Sequence, residues 1–163
     1  MSNKLLVSVI GGNSPSTKAS KLAYEVGSEL AKEGAIVICG GLSGVMEEVC
    51  HGSKDHGGIT VGILPGDDPS SANPYVDIPI ATGLGQVRNA IVARAGEAVI
   101  AIDGSYGTLS EIAHALAYGV PVIGLETWIV KLDDSPDAGI ICANDPVEAV
   151  QRAVSLARRK GLR

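Results

Sequence analysis

The sequence predicts an α/β fold: an open, mostly parallel sheet with helices on both faces, in a three-layer Rossmann-like plan. Short aliphatic runs alternate with helical patterns along the whole 163 residues. The chain carries 21 Gly, as many tight strand-to-helix turns require. It is 45% hydrophobic but only 3% aromatic with no Phe, so its core must be built from Val, Ile, Leu and Ala. The length suits one domain over residues 1–163, with no linker-like stretch to divide it.

The elements follow in order. Leu5 to Ile10 reads as the first strand, and Lys18 to Glu33 as a helix with Leu22, Val26 and Leu30 on one face and Gly34 as its C-terminal glycine. Ala35 to Cys39 is the second strand. Gly40-Gly41-Leu42-Ser43-Gly44 leads into a helix that turns Val45, Val49 and Cys50 inward and closes near Gly57-Gly58. Ile59 to Leu64 is the third strand, and the Pro-, Ser- and Asp-rich stretch from Pro65 to Pro74 is a loop. Val76 to Ala81 is a fourth strand that Pro79 demotes toward a sheet edge. Gln86 to Ala95 is a helix, Ala98 to Ile102 a strand, Leu109 to Tyr118 a helix and Val120 to Leu125 a strand. A turn at Asp133 to Asp137, a short strand from Gly139 to Cys142 and a final helix from Val147 to Arg159, opened by Asp145-Pro146, complete the chain.

A formal net charge of -5 argues against a phosphate-tracking surface for nucleic acid. The basic run Arg158-Arg159-Lys160, with Arg163, reads as a solvated helix end. Cys39, Cys50 and Cys142 have no CxxC spacing and read as core residues of a reduced, cytoplasmic protein. No leader pattern and no run of membrane-spanning length is expected. His51 and His56 read as partners of a helix C-terminus, and His114 as a packing histidine. No pattern of His or carboxylates suggests a metal site.

Ligands of such folds sit at the carboxyl ends of the strands. Four glycine-rich turns belong there: Gly11-Gly12-Asn13-Ser14, Gly40-Gly41, Gly83-Leu84-Gly85 and Gly104-Ser105-Tyr106-Gly107. The last lies between a buried strand and a helix start, with Thr108 behind it. It gathers unpaired N–H groups, the positive helix end and a hydroxyl, a combination suited to phosphate. Neither GxGxxG after the first strand nor GxxxxGK[ST] occurs, which argues against the common dinucleotide and NTPase sites. Arg88, after a glycine turn, could pair with a phosphate or with a surface carboxylate. Glu111 has two readings: Thr108 and Glu111 have capping-box spacing, and a carboxylate facing a ligand is the alternative. Asn13 and Ser14 read as helix caps that could also touch ligand, Met46 as core, and Asp67 and Asp68 as loop or ligand residues.

Gly40-Gly41-Leu42-Ser43-Gly44-Val45-Met46, Gly62-Ile63-Leu64-Pro65-Gly66, Arg88-Asn89 and Gly104 to Glu111 occur in the order seen in the superfamily labelled lysine decarboxylase-like. That superfamily includes the Lonely Guy (LOG) phosphoribohydrolases and the molybdenum cofactor carrier proteins. Gly62 to Asp68 and Thr82 to Asn89 are similar to the carrier group. The hydrolases have Arg-Lys at Arg88-Asn89 and Pro-Gly-Gly at Asp103-Gly104-Ser105. The resemblance implies a small phosphorylated ligand, either molybdenum cofactor or a nucleoside monophosphate, with no resident cofactor required. It places Gly12, Asn13, Ser14, Gly40, Gly41, Gly85, Arg88, Asn89, Gly104, Ser105, Tyr106, Gly107, Thr108 and Glu111 at the ligand, and makes Arg88 and Glu111 catalytic if a bond is hydrolysed. It also implies a homodimer or homotetramer, for which the aliphatic Ile91, Val92, Ala93 and Ala115 to Ala117 offer a face.

Overall fold

The computed structural model describes residues 4–131 and 139–160. One sheet holds β1 (Leu6–Gly11), β2 (Ile36–Cys39), β3 (Ile59–Leu64), β4 (Ile78–Ala81), β5 (Ala98–Ile102), β6 (Val122–Leu125) and β7 (Ile140–Cys142). Their order is β4-β3-β2-β1-β5-β6-β7, and all six pairings are parallel. The helices are α1 (Thr17–Lys32), α2 (Val45–Asp55), α3 (Asn89–Ala95), α4 (Tyr106–Ala117) and α5 (Pro146–Lys160).

The aliphatic runs are continuous because each strand buries both faces. Val7, Val9, Val37, Cys39, Ile100 and Ile102 point to the layer of α1, α2 and α5. Their neighbours Ile10, Ile38, Val99 and Ala101 point to α3 and α4, where they meet Val92, Ala93 and Ala115. These last three therefore serve the core of this chain. Ile91 alone of the α3 trio expected at a subunit face is exposed.

Local rules explain most helix limits. Ser16 Oγ accepts from the Ala19 N–H at 3.1 Å and caps α1, a role the sequence had offered to Asn13 and Ser14. At the other end Gly34 (φ 70°) turns the chain left-handed, and the Ala35 N–H returns to the Leu30 carbonyl at 3.0 Å. β4 is indeed an edge strand, paired only with β3 and with Ile78 and Ile80 exposed. The helix expected from Gln86 is a 3-10 turn, Gly85–Arg88, followed by the short α3. Cys142 ends edge strand β7 and is exposed, not core. His114 is exposed on α4 against the Tyr118 ring instead of packing inside. His51 lies mid-helix, stacked on Tyr75 at 4.2 Å, whereas His56 does close α2, its Nδ1 3.0 Å from the Gly52 carbonyl oxygen.

Arg158 of the basic end meets Glu33 at 3.5 Å, while Arg163 and the expected turn at Asp133 to Asp137 lie outside the described residues. Among those described, no helix is long and apolar enough to cross a membrane.

Helices α1 and α2 touch through glycines. A Cβ on Gly52 would lie 1.9 Å from the Tyr24 carbonyl oxygen, and one on Gly27 2.0 Å from that of Val49. Backbone cannot yield as a side chain does, so Gly52→Ala should force the helices apart. The expected loss is about 2–3 kcal/mol in urea unfolding.

Candidate functional site

β1 sends the chain to α1 on one side of the sheet, and its neighbour β5 sends it to α4 on the other. The connections diverge just beyond the paired strand ends, where Gly11 stands opposite Ile102. There is no room for a side chain at this join: a Cβ on Gly11 would meet the Ile102 carbonyl oxygen at 2.5 Å. Above it opens a cleft of ≈ 280 Å³ lined by Gly11, Asn13, Leu42, Met46, Pro65, Gln86, Arg88, Asn89, Ser105, Gly107, Thr108 and Glu111.

Helix α4 enters the cleft by its N-terminus. It begins three residues earlier than the apolar pattern suggested, with Ser105 as N-cap, and the Ser105 N–H donates to Thr108 Oγ1 at 3.3 Å. Leading into it, Asp103 adopts φ 53°, a conformation uncommon for a residue with a side chain, and Gly104 φ 141°. The turn is braced from the β6 end: Thr127 donates its hydroxyl proton to the Asp103 carbonyl, and the Trp128 indole N–H donates to that of Ser105 at 3.2 Å. Free N–H groups of the first turn and the positive helix end thus face the cleft.

The earlier start changes the meaning of Glu111. It lies in the second turn of α4, too far from Ser105 to cap its own helix, so the T-x-x-E spacing is coincidental. Its side chain is 7% exposed and opens on the cleft. Burial raises its pKa to about 7, against the pull of the nearby Arg88 charge.

Arg88 is also 7% exposed. One terminal nitrogen donates to the Asn89 side-chain oxygen and the other to the Gly40 carbonyl at 3.3 Å. Its Nε is buried with no hydrogen-bond partner among the described residues. Burial lowers its pKa, while Glu111 and then Cys39 raise it. A buried guanidinium with a spare donor beside a cleft is suited to an anion. Gly40 makes room for it, since a Cβ there would sit 2.7 Å from Arg88 Nη2 and 2.6 Å from Met46 Sδ.

The structure brings Asn13, Arg88, Asn89, Ser105, Gly107, Thr108 and Glu111 to the cleft wall. Gly12, Ser14, Gly41, Gly85, Gly104 and Tyr106 belong to the surrounding turns but do not line it, and Tyr106 is 82% exposed beside Trp128. Sequence reasoning had not assigned Leu42, Pro65 and Gln86 to the wall, and had placed Met46 in the core; its side chain is buried and also lines the cleft. Asp68 caps the 3-10 turn Pro69–Ser71 through the Ser70 N–H at 2.8 Å, away from the cleft lining. Asn73 is a support that no motif announced: its amide donates to the Leu42 carbonyl at 2.9 Å and its backbone N–H to that of Gly41 at 2.9 Å. No group of three or more metal-ligating side chains occurs among the described residues.

Residues 4–150 match the model of the SLOG cluster4 family, and the chain belongs to that family. It is similar over 96% of its length, at 32% identity and a TM-score of 0.86, to the solved molybdenum cofactor binding protein of Rippkaea orientalis, 99% of which is covered. It is likewise similar over 95% of its length, at 34% identity and a TM-score of 0.85, to the molybdenum cofactor carrier protein of Chlamydomonas reinhardtii, again covering 99%. A more distant relative is the cytokinin riboside 5'-monophosphate phosphoribohydrolase LOG of Oryza sativa subsp. japonica, 31% identical over 118 residues; the match takes in 69% of this chain and 48% of that protein.

Two outcomes follow from the geometry. Gly40→Ala leaves the backbone unstrained but displaces Arg88, so affinity for a phosphomonoester such as AMP, read by calorimetry, should fall roughly 10- to 100-fold. Glu111 has a folded pKa of about 7 against 4.5 in the unfolded chain, so the native state holds a proton that the unfolded state has lost between those values. Its contribution to stability is full below about pH 4.5 and declines as pH rises to about 7. Glu111→Gln should abolish that decline and be the more stable form at pH 8, by on the order of 3 kcal/mol.

Proposed function

We propose that this chain binds and carries a phosphorylated ligand with a planar ring, of the molybdenum cofactor type, in the cleft between the β1 and β5 ends. The observation that carries this reading is the buried Arg88, its Nε unpartnered among the described residues, in one cleft wall with Ser105, Gly107 and Thr108 at the N-terminus of α4. Similarity along the whole chain to molybdenum cofactor binding and carrier proteins supports the same reading.

In this reading the first-turn N–H groups of α4 and Thr108 hold the phosphate, and Arg88 neutralises it. Asn13, Gln86 and Asn89 meet the polar edges of the ring system, and Leu42 and Met46 offer it apolar surface. No bond is broken. A ligand that brings its own negative charge favours the protonated form of Glu111, so binding is full below about pH 7 and weakens as the pH rises above it. Exposed Val87, Ile91 and Tyr118, on the elements that flank the cleft, support the expected homo-oligomer. Free cysteines agree with a cytoplasmic setting.

Glu111 favours one alternative. A carboxylate near neutral pKa, buried beside Arg88 and not needed as a cap, is placed as the general acid or base of a LOG-like hydrolase would be. It would then orient water or stabilise an oxocarbenium-like ribose while the α4 turn holds a 5'-phosphate.

Incubation with AMP and with molybdenum cofactor separates the two. The carrier reading expects intact AMP and a rise in Tm of about 5–10 °C with cofactor at a hundredfold excess over Kd. Release of free base and ribose 5-phosphate, abolished in Glu111→Ala, would establish the hydrolase instead.

A further inference from the structure

Cys39 and Cys50 are both fully buried, and their Sγ atoms lie 3.5 Å apart. A disulfide needs about 2.05 Å, so a movement of roughly 1.5 Å shared by two side chains would close the bond. Cys39 is the last residue of β2, immediately before Gly40. Its sulfur accepts the Gly41 N–H at 3.3 Å, and the next carbonyl, that of Gly40, accepts from Arg88. The pair therefore sits directly beneath the loop that frames Arg88, and nothing in the carrier or hydrolase chemistry uses it.

We propose that Cys39 and Cys50 form an oxidisable dithiol whose conversion to a disulfide loosens the Gly40–Gly44 loop and weakens the anion cleft. The oxidant is hydrogen peroxide, small enough to reach a buried sulfur through local opening. The two thiols are not equivalent. The Cys50 hydrogen bond, the Gly41 N–H and the Arg88 charge favour thiolate on Cys39 against its burial and the Glu111 charge, whereas Cys50 is held as a thiol. Cys39 attacks the peroxide; the O–O bond breaks, hydroxide leaves and takes a proton to become water, and Cys39 becomes a sulfenic acid. Cys50 then gives up its proton and attacks the Cys39 sulfur, the S–O bond breaks and a second water leaves. Two thiols lose two electrons, and one peroxide becomes two waters. The new bond draws the Cys39 sulfur away from the Gly41 N–H.

The thiol chemistry can be read without any ligand, so its failure is distinct from failure of the carrier reading. Cys142 is exposed, and Cys142→Ser removes it from the count without touching the core. In this variant Ellman's reagent should find two thiols in denaturant before hydrogen peroxide and none after it. Both should return with dithiothreitol, and digestion should yield a Cys39–Cys50 cross-linked peptide. Exchange of the Gly41 amide should be at least tenfold faster in the oxidised protein. Two thiols surviving peroxide, or their loss as sulfinic acid without the cross-link, would overturn the dithiol; unchanged Gly41 exchange would overturn its link to the loop.

Discussion

The central constraint in this molecule is that β1 has neighbours on both sides whose chains leave in opposite directions. With β2 and β5 flanking it, the turn after β1 runs to α1 and the turn after β5 to α4, and the space between them cannot be filled by either. Gly11 keeps the floor of that space narrow and Ser105 sets a helix end at its wall. The cleft is thus a result of strand order before any ligand-selective side chain is considered. Its chemistry comes from burying Arg88 at the rim, a charge that the Gly40 carbonyl, the Asn89 side chain and Glu111 only partly satisfy.

Much of the fold was legible because a parallel sheet writes itself plainly: aliphatic runs buried on both faces, separated by glycine turns. All seven strands of the described sheet could be placed within two residues, and the edge position of β4 followed from Pro79. Cys142 was misplaced because an apolar run carries no sign of being an outer strand. His114 was misplaced because helical spacing gives the face of a residue and not whether that face is covered.

The candidate site was legible as a set of turns but not as a wall of side chains. Its main error lay at α4, where T-x-x-E resembles a capping box and hid the true start at Ser105. A helix that begins one turn earlier moves Glu111 from a backbone cap to a buried acid with a pKa of about 7. Asn73 and Trp128 were invisible for another reason. Each supports a glycine turn from far along the chain, 31 residues from Leu42 and 23 from Ser105, and no local pattern encodes such a contact.

The position of β1 also bears on how the protein is made. Val7 pairs with Ala98 and Gly11 with Ile102, so one side of the first strand waits for chain that is synthesised about ninety residues later. At roughly 5–20 residues per second the delay is about 5–18 s. Throughout it the first strand presents an unpaired edge, and the half-sheet from β1 to β4 is open to any other extended chain nearby. Translation past Ile102 covers that edge of β1 and hands the exposure to β5, whose own partner β6 follows only about twenty residues later.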